Sequence, residues 1–226
     1  MPEVRQIAPD VLQLAGRPRD AINAYLVGDV LIDAGTRHAR RRIMRQIAGR
    51  AVRAHALTHA HPDHQGSSHA ICTELRLPFL VGDGDADAAE TPGGVAALQA
   101  PGLANHLQQR WWTGPPHPVD RRLREGDEVA GFAVLETPGH SPGHLAFWRA
   151  EDRVLLLGDV LNHVHPLTGR VGLHEPLPIL TPDPARNRNA IRRLAELRPR
   201  IACFGHGPVL RDPDALLRFA ERLPAA

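Results

Sequence analysis

Short apolar runs separated by turn residues dominate the first third of the chain. Residues 4–7 and 11–14 flank Pro9-Asp10, and residues 21–27 and 30–33 flank Gly28-Asp29. Apolar runs of this length, bounded by Pro, Gly and Asp, predict strands, and the Gly-Asp pair predicts a hairpin. Thr36 is placed to cap an Arg-rich helix that runs to about Ala48, with Gly49 as its stop. Residues 52–57 then read as a strand, 65–75 as a helix with Ile71, Cys72 and Leu75 on one face, and 79–81 as a further short strand.

From 82 to 118 the periodicity loosens, with frequent Gly, Pro and Asp and with Trp111-Trp112 inside the stretch. A long irregular segment within a compact domain predicts a binding loop or lid. Strands return at 132–135, 144–148 and 154–157, and a second irregular stretch covers 161–184. A helix at 185–197, a strand at 201–204 and a helix at 213–223 complete the pattern. Strands thus come in two groups, each with its own helices. That predicts an α/β chain of one domain, residues 1–226, with two sheets and helices outside them, a layout whose element order is shared with other α/β folds.

Composition narrows the function classes. The chain has 226 residues and a net charge of +2 with histidines neutral, too little to favour nucleic acid or an anionic membrane. All 27 basic residues are Arg, and their densest cluster, Arg37 to Arg53, predicts the solvated face of a helix. Cys72 and Cys203 sit in apolar contexts and predict buried thiols, as in a reducing cytoplasm. The opening MPEVRQIAPD lacks the basic-then-apolar pattern of a signal peptide. No apolar run approaches the ~20 residues that span a bilayer. The expected location is cytoplasmic and the expected partner a small-molecule substrate. No interface signal is legible, and a homodimer is compatible with the sequence.

Chemistry concentrates in the run Thr58-His59-Ala60-His61-Pro62-Asp63-His64. Four metal-ligand side chains within six residues follow an apolar strand and precede a helix. On extended backbone His59 and His61 point to the same side. Asp63 and His64 lie where the chain turns and can face a neighbouring point. Such crowding beside a buried strand is costly unless something neutralises and orders it, and imidazole with carboxylate suits zinc, iron or manganese. His140, Asp159 and His206 each follow an apolar run beside a glycine, in TPGH, LLGD and FGHG. Taken singly they are ordinary loop residues. His38, His55, His69, His106 and His117 read as structural or surface histidines.

Together, H-x-H-x-D-H, the TPGH histidine, the GD aspartate and the GHG histidine resemble the metallo-β-lactamase-fold superfamily, and its glyoxalase II-like branch most. The resemblance extends from residue 31 to His206 and implies a four-layer αββα sandwich with two metals at one edge. It implies that His59, His61 and His140 hold one metal, that Asp63, His64 and His206 hold the other, and that Asp159 bridges them. The implied activity is hydrolysis of a small ester, thioester or lactone by a hydroxide shared between two zinc ions, with Asp63 orienting the nucleophile and passing on its proton. Asp33 and Thr58 are placed to orient the ligand histidines. Trp111, Trp112, His163, His165 and His174 lie in the two irregular stretches and are candidate substrate contacts.

Branches of the family separate on these residues. Asp159 is present and Cys203 is no ligand, which points away from antibiotic hydrolysis. Only twenty residues (226 − 206) follow His206, too few for the helical region that holds glutathione in glyoxalase II. Tyr25 lies far upstream in a strand, so a lactonase-type tyrosine is unsupported. Two alternatives stand beside the hydrolase: a mononuclear iron oxygenase like the family's persulfide dioxygenases, and a non-catalytic metal-binding protein of the same fold.

Overall fold

The chain is described by a computed structural model that covers residues 4–16, 18, 20–99 and 101–224; the first three residues of the N-terminal stretch read above lie outside it. The first sheet begins with β1 (Val4–Ala8), β2 (Val11–Leu14), β3 (Ala24–Val27) and β4 (Val30–Ile32), joined as antiparallel neighbours. The predicted hairpin is present, with Val27 paired to Val30 across Gly28-Asp29. After α1 (Arg40–Ile47) come β5 (Ala54–Ala56), α2 (Pro62–Gln65), α3 (Ser68–Leu75) and β6 (Phe79–Gly82). Helices α4 (Asp83–Glu90), α5 (Gly94–Ala97) and α6 (Leu103–Trp112) then lead to β7 (Arg121–Leu123). Strands β4 to β7 are parallel, so the seven-stranded sheet runs in chain order, antiparallel on one side and parallel on the other.

The second sheet contains β8 (Glu128–Val129), β9 (Phe132–Glu136), β10 (Leu145–Arg149) and β11 (Val154–Leu156). A small hairpin of β12 (Asn162–Val164) and β13 (Val171–His174) follows, then a 3-10 turn at Pro178–Leu180 and α7 (Pro184–Glu196). Strand β14 (Ile201–Cys203) returns to pair in parallel with β11, and α8 (Ala215–Ala220) ends the described elements. The order of this five-stranded sheet is β14-β11-β10-β9-β8.

Three apolar clusters make this a four-layer sandwich. Tyr25, Val27, Ile32, Leu80, Val134, Phe147, Leu156 and Cys203 fill the space between the two sheets. Leu26, Leu31, Phe79 and Val81 face the other way, onto Ile43 of α1 and Ile71 and Cys72 of α3. Leu155, Ala202 and Phe204 likewise pack on Ile191 and Leu194 of α7 and Leu216 of α8. Alternate residues of one strand therefore feed different layers, as the two-residue period of a strand requires. Where both faces are covered, as in β3, β4, β6, β11 and β14, the strands read as unbroken apolar runs. The αββα expectation holds. Both cysteines are buried, and burial pushes each thiol up to about 12. Among the described residues no helix is long and apolar enough to cross a membrane.

Four expectations need correction. Thr36 does not cap α1: the N-cap position is Ala39, which makes no side-chain cap bond, and Thr36 instead closes a turn through its carbonyl to the Ala39 N–H. Residues 82–118 are largely helical, not irregular. Their signal was weak because α4 buries only Asp85 and two alanines, and because α6 turns Leu103, Leu107 and Trp111 to solvent while burying Asn105. The 161–184 stretch carries the β12–β13 hairpin, whose strands are rich in polar side chains. Strands β7 and β8 were unread: they are three and two residues long, and β7 exposes both of its arginines.

Candidate metal centre

The seven candidate ligands come from four strand-to-loop junctions. His59 and His61 follow β5, and Pro62 opens α2 at its first turn, where a missing N–H costs nothing. Asp63 and His64 therefore lie on the first turn of a helix while His59 and His61 precede it on extended backbone. His140 follows β9, Asp159 follows β11, and His206 follows β14.

The structure brings all seven together. Ligand atoms of His59, His61 and His140 lie within 4.8 Å of one another, as do those of Asp63, His64 and His206, and those of His59, His64 and Asp159. Asp159 stands between the groups: its Oδ1 is 3.5 Å from His64 Nε2, and its Oδ2 is 3.7 Å from His140 Nε2 and 2.9 Å from His206 Nε2. Asp63 Oδ2 is 3.3 Å from His206 Nε2. Gly205 makes this approach possible, since a Cβ there would lie 2.1 Å from Asp159 Oδ1 and 2.6 Å from His64 Cε1.

Four of the five imidazoles are aimed by their other nitrogen. Asp33 Oδ2 accepts from His64 Nδ1 at 2.9 Å and from Thr58 Oγ1 at 2.8 Å, while its Oδ1 accepts from the Thr58 backbone N–H at 2.8 Å. Thr58 Oγ1, having donated to Asp33, is the acceptor for His59 Nδ1 at 3.0 Å. One carboxylate thus orients two histidines, one directly and one through a hydroxyl. Asp33 does this from a left-handed backbone, φ 61°, just past β4. His140 Nδ1 meets Thr181 Oγ1 at 3.1 Å, and His206 Nδ1 donates to the Ala21 carbonyl. In all four cases Nδ1 is engaged and Nε2 faces the cluster.

Apart from His206 Nε2, which meets Asp159, the inward atoms are orphans. The Nε2 atoms of His59, His61, His64 and His140 and Oδ1 of Asp159 are buried without a hydrogen-bond partner among the described residues. Leaving so many buried polar atoms unpaired is costly, and a cation at their focus removes the cost. The donor set of imidazoles and carboxylates fits a divalent transition ion.

Electrostatics divide the two groups. Burial, reinforced by neighbouring imidazoles, holds His59 and His140 well below the usual histidine range. Burial also lowers His61, against the pull of Asp63. Burial opposes charge at His64 too, but the carboxylates of Asp159 and Asp33 outweigh it and push that histidine up to about 10. At His206, Asp159 and Asp63 likewise outweigh burial and raise it. In return Asp63 falls to about 2, with burial opposed by the His206 and His64 charges. Without a metal, then, the first group is neutral and the second is an array of alternating charges.

Several supports escaped the sequence reading. His144 is fully buried, takes the Asp159 backbone N–H on Nε2 at 3.1 Å, bonds Thr137 Oγ1 through Nδ1 at 2.8 Å and stacks on His59 at 4.8 Å. Burial drives it down to about 3, which keeps it an acceptor. The TPGHSPGH repeat of His140 and His144 was its only sequence signal. Asn23 donates to the carbonyls of Phe204 and Gly207 at 3.1 and 2.8 Å, and Tyr25 Oη donates to that of Phe204 at 2.8 Å. These bonds fix the loop that carries His206 from 179 to 184 residues away, a distance no local pattern reports. Tyr25 is thereby a structural residue.

The proposed substrate contacts are dispersed. Trp111 and Trp112 end α6, where their carbonyls accept from His38 Nε2 and the Arg37 N–H. The Trp111 indole is 55% exposed with the Arg110 guanidinium 5.5 Å from its ring centroid. His163 bonds the Pro208 carbonyl through Nδ1 at 2.7 Å and stacks near Phe204, bracing the loop of His206. His165 and His174 pack against each other on the β12–β13 hairpin, ring centroids 5.0 Å apart.

Comparison with known proteins agrees with this geometry. A family model described as the metallo-beta-lactamase superfamily matches residues 17–206. A probable metallo-hydrolase of Bacillus subtilis, YflN, is 30% identical over 79% of this chain and 75% of its own length. A hydroxyacylglutathione hydrolase of Rhodospirillum rubrum is 34% identical over 46% of this chain and 32% of its own. Among solved structures, TTHA1623 in a di-iron-bound form is similar with a TM-score of 0.67, 32% identity and coverage of 96% of this chain and 97% of that one. The metallo-beta-lactamase family protein TTHA1429 of Thermus thermophilus aligns with a TM-score of 0.69 and 27% identity, over 96% of this chain and 80% of its own. The chain belongs to the metallo-beta-lactamase superfamily and is a metal-dependent hydrolase.

Proposed function

We propose that the protein is a dinuclear zinc hydrolase of a small ester, thioester or lactone. His59, His61 and His140 would hold one ion and Asp63, His64 and His206 the other, with Asp159 between them. The observation that carries this reading is that five buried ligand atoms lack hydrogen-bond partners within adjoining groups whose ligand atoms lie within 4.8 Å of one another. Two bound divalent ions supply an activated water and a Lewis acid for a carbonyl oxygen.

The protein's own groups supply the rest. Asp33, Thr58, Thr181 and the Ala21 carbonyl hold His64, His59, His140 and His206 with Nε2 inward, so these four need no reorganisation when substrate arrives. Asp63 has its ordinary value lowered to about 2, so it is an anion at neutral pH. From within the cluster, where its side chain keeps 12% of its exposure, it can accept a hydrogen bond from the attacking water and hold its proton. Little general-acid assistance is present in the cluster. That suits good leaving groups, the thiolate of a thioester or the ring alkoxide of a strained lactone.

Iron is the second reading for the metal, favoured by the di-iron form of TTHA1623. Both readings are tested by counting metal per chain in purified protein and assaying the zinc- and iron-loaded forms on thioesters and lactones. Close to two zinc ions and turnover with zinc support the proposal. Turnover with iron alone transfers it to iron. One iron per chain, with oxygen uptake on a persulfide, sinks the hydrolytic reading in favour of the oxygenase.

A further inference from the structure

Asp85 is a buried carboxylate with no counterpart in the ligand set. It lies at the third position of α4 and is 0% exposed. Its Oδ2 accepts from the Ala60 backbone N–H at 2.9 Å and from Ser141 Oγ at 2.6 Å, and its Oδ1 accepts from the Gly143 N–H at 2.6 Å. Ala60 lies between ligands His59 and His61. Ser141 follows ligand His140 directly. One carboxylate therefore holds the two segments that supply the three-histidine group, through charge-assisted bonds of the strong kind.

The chain is shaped to bring Asp85 there. Backbone meets backbone at the Gly84–Gly143 contact: a Cβ on Gly143 would lie 2.2 Å from the Asp85 nitrogen, and one on Gly84 would lie 2.9 Å from the Gly143 nitrogen. Glycine at both positions permits that approach, and the GDGD and SPGH segments supply it. By contrast, the contacts that set Asp63, His64 and His206 are made by Asp33, Asn23, Tyr25 and the Ala21 carbonyl, not by Asp85.

We propose that Asp85 is a positioning residue that sets the separation of His59 and His61 from His140, and so governs the metal affinity of that group alone. The inference rests on the metal reading of the preceding subsection. An amide in place of the carboxylate offers one acceptor oxygen where there were two, so at least one of the three donors loses its partner. The segment that donor belongs to then drifts, and the ligand atoms lose their common focus.

The test is zinc titration of the metal-free protein against a chromophoric chelator, for wild type, Asp85→Asn and Ser141→Ala. His140→Ala and His206→Ala serve as references for loss of one group or the other. The expected result is that Asp85→Asn weakens one of two zinc-binding steps ~10–100-fold, the usual cost of losing a partner behind a ligand. Its isotherm should follow that of His140→Ala, and Ser141→Ala should shift the same step by less. Equal weakening of both steps, no weakening, or an isotherm that follows His206→Ala overturns the proposal. Should Asp85→Asn fail to fold, Ser141→Ala carries the same comparison, because it removes one hydroxyl and leaves the carboxylate. A wild-type chain that takes up no zinc or iron sinks the metal reading itself, and this inference with it.

Discussion

The two halves of the metal centre share a bridging aspartate but are prepared differently. His59, His61 and His140 are almost wholly buried, neutral and held by hydroxyls and by the segments that Asp85 ties together. Asp63, His64 and His206 form an ion-paired array, and the His206 side chain keeps 17% of its exposure. The first half is a pocket of lone pairs waiting for a cation. The second already carries protons where a cation would sit. A metal therefore enters the first without displacing anything and must compete with protons for the second.

The largest expected effect comes from removing what the halves share. Asp159→Ala should lower occupancy at both groups and reduce kcat by at least ~1,000-fold, consistent with the loss of a dinuclear mechanism. Metal per chain and turnover check it together, and normal activity in that variant would sink the two-metal reading. Next comes Asp33→Ala, which leaves His64 Nδ1 and Thr58 without their acceptor. Metal affinity should fall ~10–100-fold, more at the group of His64 than at that of His59, which Asp33 reaches only through Thr58. A larger loss at the three-histidine group would reverse the comparison.

The pH dependence sharpens it further. His64 sits near 10 in the metal-free protein, so it is protonated at pH 7 and its proton must leave when metal binds. Affinity at that group should rise about tenfold per pH unit for each proton displaced, up to pH ~10, while the three-histidine group stays nearly flat at neutral pH. Calorimetry in buffers of different ionisation enthalpy counts those protons. The same raised value links to stability without metal: it adds stability fully present below the unfolded histidine value of about 6.5 and lost as pH rises through about 10. Thermal unfolding of the apo protein should thus show a midpoint that falls between pH ~6.5 and ~10, a fall that is smaller in a His64→Gln variant, where only His206 keeps a raised value. The smallest effect is expected outside both halves. Trp111→Ala, at an exposed position, should leave metal content unchanged and stability within about 0.5 kcal/mol. A raised KM in that variant would make the indole a substrate contact.

Much of the centre was legible because its chemistry is dense. Four ligands in six residues, between an apolar strand and a helix, announce themselves by cost alone. His140, Asp159 and His206 were legible only by resemblance, since each stands alone in its segment. The strand–helix pattern was readable wherever large apolar residues marked a period, and failed from 82 to 118, where α4 buries alanines and an aspartate and α6 shows its leucines to water. Asp85 and Asn23 left no trace in the pattern, because a polar residue that bonds distant backbone looks like any loop residue until the chain is folded.

The sequence by itself determined that four metal-ligand side chains crowd the turn after one apolar strand, and that strands come in two groups with helices among them, because periodicity and side-chain chemistry are local properties. Only the tertiary structure decided that His206 meets Asp63, that Asp33 aims two histidines at once, and that one ligand group is neutral while the other is charged. Those outcomes depend on sheet packing that closes gaps as long as the 185 residues between Ala21 and His206, and on burial that raises or lowers each proton's affinity according to its neighbours.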